Sequence, residues 1–365
     1  MISNVHTVEL VKFTQLQRLF FLCLCVFLMM VMDTARGAED YAQLYESRSP
    51  SVVTIHTAVK NNNAEMTIEP TGLGSGVLIQ SDLVLTAAHV VHTADHIVVK
   101  FNDGHQSRAE IITSVTVSDA ALLKLSTPPA EPVVSPIGDS DAVRIGEPVF
   151  IIGAPFGIEQ TLSVGNVSGR MNRGMLAGGE PIDFIQTDTA INQGNSGGPM
   201  FNRHGEIIGI VSFILSKSGG FNGIGFAVSI NGARKSLTER SAFWTGFDGL
   251  LLDSRMAAAL NVEQGTGMLV QHVVTGSVAH KAGLRGGNIS VKFDGADIRL
   301  GGDIVLSIHG MICKGPHNFD ALKEQIDALQ PNENFTIRVL RGGEVVDLMA
   351  TAGELKVTSL TGKME

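Results

Sequence analysis

A mainly β fold, two six-stranded antiparallel barrels followed by a small α+β domain, is what the sequence predicts, and three observations predict it. From Val52 onward short β-branched runs alternate with turn residues, and these runs fall into two sets of six. The texture then changes after Ser229, where helical periodicity first enters. Finally, 41 glycines accompany only one Trp and two Tyr, the composition of a chain with many tight turns. At ~150 residues per domain, 365 residues make two or three domains, each long enough to bury a core. With 44% hydrophobic and 17% charged residues the chain is not a disordered or fibrous one. The formal charge of −9 comes without any dense basic run, which excludes non-specific nucleic-acid binding through phosphate neutralisation.

Leu19 to Met32 is an unbroken apolar run of 14 residues, preceded by Lys12 and Arg18 and followed by Ala35-Arg36-Gly37-Ala38. A spanning helix needs about 20 residues and a secretory h-region roughly 7–15, so residues 1–37 read as a cleaved export signal. The alternative is an uncleaved signal anchor and a membrane-tethered protein. A lipid anchor is disfavoured because Leu22, not a small residue, precedes Cys23. Without residues 1–37 the chain keeps 24 basic and 34 acidic groups, a charge of −10, and Cys313 as its one cysteine. Intramolecular disulfides are then impossible.

Residues 38–50 form an N-terminal arm, and 51–240 the double barrel. Its first six strands are expected at Val52–Thr57, Gly74–Gln80, Leu83–Ala87, His96–Phe101, Ser107–Thr113 and Ala121–Leu125. After the irregular stretch Pro128–Gly146, six more are expected at Val149–Gly153, Thr161–Ser168, Phe184–Thr187, Gly198–Phe201, Ile207–Leu215 and Gly223–Val228. A short helix at Asn231–Arg240 closes this part. Residues 241–248 read as a linker holding the one tryptophan, Trp244, and 249–355 as the small domain, with 356–365 as a tail. Within the small domain the pattern gives strands at Gly267–Val274 and Asp303–Ile308 and a short helix at Val278–Ala282. An amphipathic helix carries Phe319, Leu322, Ile326 and Leu329 on one face, and closing strands follow at Asn334–Leu340 and Val345–Ala350.

The chemistry concentrates in Gln193-Gly194-Asn195-Ser196-Gly197-Gly198-Pro199. A serine hydroxyl attacks only when a base takes its proton, and the resulting oxyanion needs converging backbone N–H donors. Glycines on both sides allow the tight turn that aims them, and Gly194 and Ser196 would supply them. Thr86-Ala87-Ala88-His89-Val90 ends an apolar strand on a histidine, and Val117-Ser118-Asp119-Ala120 starts another after an aspartate. An imidazole acts as base when a carboxylate fixes its tautomer and orientation, the role expected of Asp119. The order His89, Asp119, Ser196 is that of double β-barrels. The α/β-hydrolase elbow also has a Gly-x-Ser-x-Gly, but it opens a helix, and here strand, turn and strand follow.

These residues resemble the HtrA/Deg-type serine proteases, a chymotrypsin-like domain followed by one PDZ domain. The resemblance rests on Gly74-Ser75-Gly76-Val77, Thr86 to Val91, Asp119 to Leu125, Gly153-Ala154-Pro155-Phe156-Gly157, Thr187 to Pro199, and Gly223-Ile224-Gly225-Phe226-Ala227-Val228. Ala282-Gly283-Leu284-Arg285-Gly286-Gly287 and Gly301-Gly302-Asp303-Ile304 extend it toward the C-terminus, so that it covers residues 50–350. It implies an ATP-independent, cofactor-free endopeptidase of the bacterial periplasm, working on unfolded or misfolded polypeptides as a homotrimer or larger assembly. The oxyanion hole would be Gly194, Asn195 and Ser196. The specificity pocket would have Ala190 as floor, six residues before the nucleophile, with preference for small or medium aliphatic residues. An unpaired Lys or Arg charge buried there would cost ~2–5 kcal/mol.

The resemblance also places a C-terminal peptide on Gly249, Leu250, Leu251 and Leu252 by strand addition. Asp248 stands where the family has an apolar residue, and its charge should weaken carboxylate binding. The segment Val59–Pro70 is short, against large gated cages, and Arg173 in the loop Arg170–Pro181 is a candidate for coupling the PDZ state to the oxyanion hole. Tyr41 and Tyr45 would pack about a trimer axis. His89, His92 and His96 lie at i, i+3 and i+7, but no carboxylate or cysteine completes a metal set, and no metal is expected. The rival function is a chaperone or PDZ binding protein whose main role is non-catalytic.

Overall fold

The computed structural model describes residues 41–60, 68–175, 181–217, 219–238, 244–293, 296–314, 322, 325–326, 329–330 and 332–353. The expected export signal therefore lies outside the described residues. By its internal contacts the chain divides into residues 1–44 and 45–365. Tyr41–Arg48 is a helix, α1, and everything below belongs to the second unit.

All twelve expected barrel strands are present. The first barrel comprises β1 (Val52–Lys60), β2 (Ile68–Gln80), β3 (Leu83–Thr86), β4 (His96–Lys100), β5 (Gln106–Val115) and β6 (Ala120–Leu125), closed in the order β1-β2-β3-β6-β5-β4. The second comprises β7 (Pro148–Gly153), β8 (Thr161–Met175), β9 (Pro181–Thr187), β10 (Pro199–Asn202), β11 (Ile207–Ile214) and β12 (Gly225–Ser229), closed in the order β10-β11-β12-β9-β8-β7. Burial follows the residue pattern: β4 and the start of β5 alternate inward and outward, whereas Leu83–Thr86 of β3 is buried throughout. Val53, Ile55, Leu78, Val84, Val99 and Leu123 fill the first barrel, and Val149, Ile151, Ile185, Met200, Ile208 and Val211 the second.

The stretch Arg170–Pro181, expected as a loop, is in part strand. β8 runs on to Met175 and pairs with β9 as far as Pro181, held by an Arg170–Asp183 ion pair. The Arg173 side chain lies outside the described residues. Between β3 and β4 a four-residue helix, α2 (Ala88–Val91), carries His89. After β12, α3 (Ile230–Thr238) buries Ile230, Ala233, Ser236 and Leu237 against the barrels.

The C-terminal domain is a sheet of β13 (Phe247–Leu251), β14 (Met268–Val273), β17 (Ile304–Ile308), β18 (Met311–Ile312), β19 (Asn334–Arg341) and β20 (Glu344–Thr351). Two short helices, α4 (Ser254–Ala259) and α5 (Val278–Lys281), flank it, capped by Asp253 and Ser277. A separate hairpin of β15 (Ile289–Phe293) and β16 (Ala296–Leu300), unforeseen in the sequence, stands between β14 and β17 in the chain. Of the expected amphipathic helix, Leu322 and Leu329 are buried in the core with Ile326 against them, while Phe319 lies outside the described residues.

The expected linker 241–248 needs correction, because Phe247 and Asp248 already belong to the sheet. Ahead of them, Thr245 and Gly246 accept hydrogen bonds from Ala279 N and Val274 N of the same domain. Among the described residues no helix is long and apolar enough to cross a membrane.

Candidate active site

The His89 side chain hangs from α2, whose N-terminus is tied by the His89 N–H donating to Asp119 Oδ1 at 3.0 Å. The imidazole Nδ1 lies 2.9 Å from both Asp119 carboxylate oxygens. Asp119 is held in the left-handed region at φ 48°, in the turn before β6, a conformation that aspartate tolerates better than most residues. The neighbouring Ser118, fully buried, anchors that turn by donating to Ser236 Oγ of α3 at 2.8 Å. With 15% of its side chain exposed against 48% for His89, Asp119 sits behind the imidazole rather than in solvent.

Ser212 supplies a further donor that sequence reasoning missed: its hydroxyl donates to Asp119 Oδ2. It is a lone polar residue in the apolar strand β11, almost fully buried, at a register shift between Val211 and Phe213. Such an irregularity re-aims a side chain. The signal in the sequence was a serine inside an otherwise apolar run.

The Ser196 loop belongs to the second barrel but is locked onto the first. Ser75 N donates to Ser196 O at 2.8 Å, and Ser75 Oγ donates to Gly194 O at 2.7 Å while accepting from Ala154 N at 3.0 Å. Thr86 Oγ1 in turn donates to Ser75 O at 2.7 Å. Two positions in this loop require glycine. At Gly194, φ is 102° and a Cβ would meet Ala154 O at 2.1 Å; at Gly197, φ is 83° and a Cβ would meet Thr86 Oγ1 at 2.1 Å.

Phe156 N donates to Gln193 O at 2.8 Å. Because the C=O and N–H of one planar trans peptide point opposite ways, this bond turns the Gly194 N–H away from Phe156. Among the described residues neither the Gly194 nor the Ser196 N–H meets a protein acceptor, so both remain available to a ligand oxygen. Asn195, expected in the hole, does not contribute: its N–H donates to Asn192 O at 3.0 Å and its side chain is buried against Gly153.

His89, Gly194 and Ser196 line one cleft of about 280 Å³, together with Gln193, Leu73 and Thr93. A carboxylate-oriented imidazole, a serine and two free N–H donors around one cleft can take a proton, attack a carbonyl and stabilise the oxyanion. Ala190, expected as the floor of the specificity pocket, is exposed, and its neighbour Ile191 is buried in the core of the second barrel. Ile191 Cδ1 lies 2.5 Å from where a Cβ on Gly225 would stand.

The remaining expected site is the edge strand β13. Gly249, Leu250 and Leu251 pair with Val270, Leu269 and Met268 of β14, which leaves the other edge of β13 open. Leu252, expected to bind peptide, is buried and its N–H donates to Gly267 O. By the alternation of an antiparallel ladder, Leu250 N–H also faces β14, and Gly249 and Leu251 face outward. Asp248 Oδ1 accepts the Gly249 N–H at 2.9 Å. Among the described residues no group of three or more His, Cys, Asp or Glu could hold a metal.

The family model of the trypsin-like peptidase domain matches residues 74–210. A probable periplasmic serine endoprotease, DegP-like, of Hahella chejuensis is 33% identical over 370 residues, covering 91% of this chain and 74% of that protein. The periplasmic pH-dependent serine endoprotease DegQ of Escherichia coli is 35% identical over 302 residues, 80% of this chain and 62% of that one. Among solved structures, a serine-to-alanine variant of the HtrA-type protease AlgW with a decapeptide superposes with a TM-score of 0.50 at 29% identity, covering 86% and 97% of the two chains. The chain belongs to the HtrA-type, DegP-like serine endoproteases.

Proposed function

We propose that Ser196 is the nucleophile of this endopeptidase, His89 its general base and Asp119 the residue that orients the imidazole. The observation that carries the reading is the His89–Asp119 pair at 2.9 Å opening on the cleft that Ser196 and Gly194 line. Asp119 accepts a hydrogen bond from Nδ1–H, which leaves Nε2 as the bare nitrogen that accepts the Ser196 proton. The acyl intermediate forms as Ser196 Oγ bonds to the substrate carbonyl carbon and His89 returns the proton to the leaving amine. Water then repeats the sequence and releases the acid. The Gly194 and Ser196 N–H groups hold the oxyanion in both halves, a contribution of ~10²–10³ in kcat per donor.

Ala190, not a carboxylate, stands at the floor of the specificity pocket, so cleavage follows small or medium aliphatic residues. The substrates are misfolded or damaged polypeptides, a reading supported by the likeness to periplasmic endoproteases. The C-terminal domain is of PDZ type and recruits or regulates through the open edge of β13. Only one outward N–H, that of Leu251, is unoccupied by a side chain there, so C-terminal peptides bind weakly. The assembly is a homotrimer or larger, and the mature protein is periplasmic.

A fluorophosphonate probe tests the catalytic reading. It should label the wild type, and Ser196→Ala should abolish both labelling and peptide hydrolysis. Wild-type protein left unlabelled while hydrolysing peptides would remove Ser196 as nucleophile. Wild-type protein that neither reacts nor hydrolyses would favour the non-catalytic reading.

A further inference from the structure

We infer that the C-terminal domain grips the turn that carries the catalytic histidine, with Asp95 and Trp244 as positioning residues for His89. The inference rests on the assignment of His89 as general base. It begins with α2 itself, which is four residues long and has no side-chain N-cap. A helix of one turn has no stability of its own, since helices shorter than ~12 residues are marginal in water. Ala88 and Val91 anchor it in the core of the first barrel, and the rest of its placement comes from what holds its two ends.

The N-terminal end is held by Asp119 through the His89 N–H. On the C-terminal side, residues 92–95 are held in part by the first barrel: His92 Nδ1 lies 2.9 Å from Ser114 Oγ, and Asp95 N donates to Ala58 O at 3.0 Å. The remaining ties come from the other domain. Trp244 Nε1 donates to His92 O at 3.2 Å, and the indole meets the His92 ring edge-on at 6.5 Å between centroids. Thr275 N donates to Asp95 Oδ1 at 2.7 Å, and His272 Nε2 stands 3.5 Å from Asp95 Oδ2.

Trp244 moves with the C-terminal domain, because the next two residues, Thr245 and Gly246, are bonded to Ala279 and Val274. The Asp95 side chain is 2% exposed, so its carboxylate is committed to this contact. On its other face the same segment, through His89, Val90, Thr93 and Ala94, forms a wall of the cleft. The segment is thus an element shared between cleft and domain contact. The ties are few and polar, the kind of contact that can open. When it opens, α2 keeps Asp119, Ser114 and Ala58 but loses the ties to Trp244 and Thr275, and the imidazole moves relative to Ser196. A displacement of ~1 Å at reacting groups can cost ~10²-fold in rate.

Trp244 is the one tryptophan of the chain, so its emission reports this contact directly. In the full-length protein, Asp95→Ala should shift the emission to longer wavelength and lower kcat on a short peptide by roughly tenfold or more. Fluorophosphonate acylation should slow in parallel, and KM should change by less than about threefold. Asp95→Asn, which keeps an oxygen for Thr275 N–H, should recover most of the activity. If Asp95→Ala does not fold, Trp244→Phe decides, removing only the indole hydrogen bond to His92 O; a loss of about threefold or more in acylation rate is expected.

Acylation and kcat within twofold of wild type in the folded variant would overturn the inference, whether or not the emission shifts. A loss confined to KM would overturn it too. Ser196→Ala, run alongside, separates this outcome from failure of the catalytic assignment. If Ser196→Ala still hydrolyses peptide, the assignment itself is wrong, whatever Asp95→Ala does.

Discussion

Ser75→Ala isolates the link between the barrels. The Ser75 side chain is fully buried, and its hydroxyl serves two groups: it donates to Gly194 O at 2.7 Å and accepts from Ala154 N at 3.0 Å. Alanine fits the space but leaves one buried acceptor and one buried donor without partners, each costing ~1–3 kcal/mol. The summed destabilisation is about 2–6 kcal/mol if nothing relaxes. The cheapest relaxation is rotation of the Gly194–Asn195 peptide toward another donor, which disturbs the flanking peptides that carry the Gly194 and Ser196 N–H groups. One misplaced hole donor lowers kcat by ~10²–10³. The expected result is a lower melting temperature together with a fall of at least about tenfold in kcat and in acylation rate, with KM little changed. A variant that melts lower but acylates at the wild-type rate would refute the reasoning, since Ser75 would then support the fold without setting the hole.

Four further outcomes follow from the same contacts. Ser212→Ala removes a charge-assisted donor to Asp119, worth ~1.5–3 kcal/mol; steady-state kinetics should show kcat reduced by about tenfold or more. Gly197→Ala forces a Cβ to within 2.3 Å of Ser75 O at a φ of 83°; thermal melts should show a loss above ~2 kcal/mol, or no folded protein. Burial lowers the pKa of His92 below its ordinary 6.5, with the Asp248 charge opposing. The unfolded chain then binds the proton more readily, so stability is complete above pH 6.5 and declines as pH falls below it; melting curves across that range should flatten in His92→Gln. Burial pushes the Cys313 thiol up to about 11, so iodoacetamide at pH 8 should modify it only after unfolding, as counted by mass.

The barrels were legible because each strand is a run whose apolar residues have nowhere to go but inward, and turn residues punctuate them. The proposed triad stood out for a different reason: His89 follows one such run, and Asp119 and Ser196 each stand just ahead of another. Counting along the chain did less well. It gave Asn195 a hole position although its N–H closes a turn on Asn192. Ser75 and Ser212 went unassigned because their partners, Gly194 and Asp119, are distant in sequence. The hairpin of β15 and β16 could have been read, since Ile289, Val291 and Phe293 alternate with Ser290 and Lys292 before Asp294-Gly295, a strong hairpin-turn pair.

What sequence could not show is that the chemistry is distributed over parts that must be held together. His89 and Asp119 come from the first barrel and Ser196 from the second, so no local propensity fixes their relation. Ser75 ties the serine loop to the first barrel, Ser212 brings the second barrel to Asp119, and Ser118 bonds to α3, which follows the second barrel in the chain. Each is a neutral hydroxyl acting across a boundary, modest in net energy when made and costly when a buried partner is left alone. A perturbation at any of these boundaries therefore changes catalytic geometry before it unfolds either barrel. The same reasoning extends to Asp95 and Trp244, whose contacts lie at the third boundary, between the barrels and the C-terminal domain. Activity should thus be lost at lower denaturant concentration than barrel structure, because the boundary bonds are fewer and more polar than the cores they join.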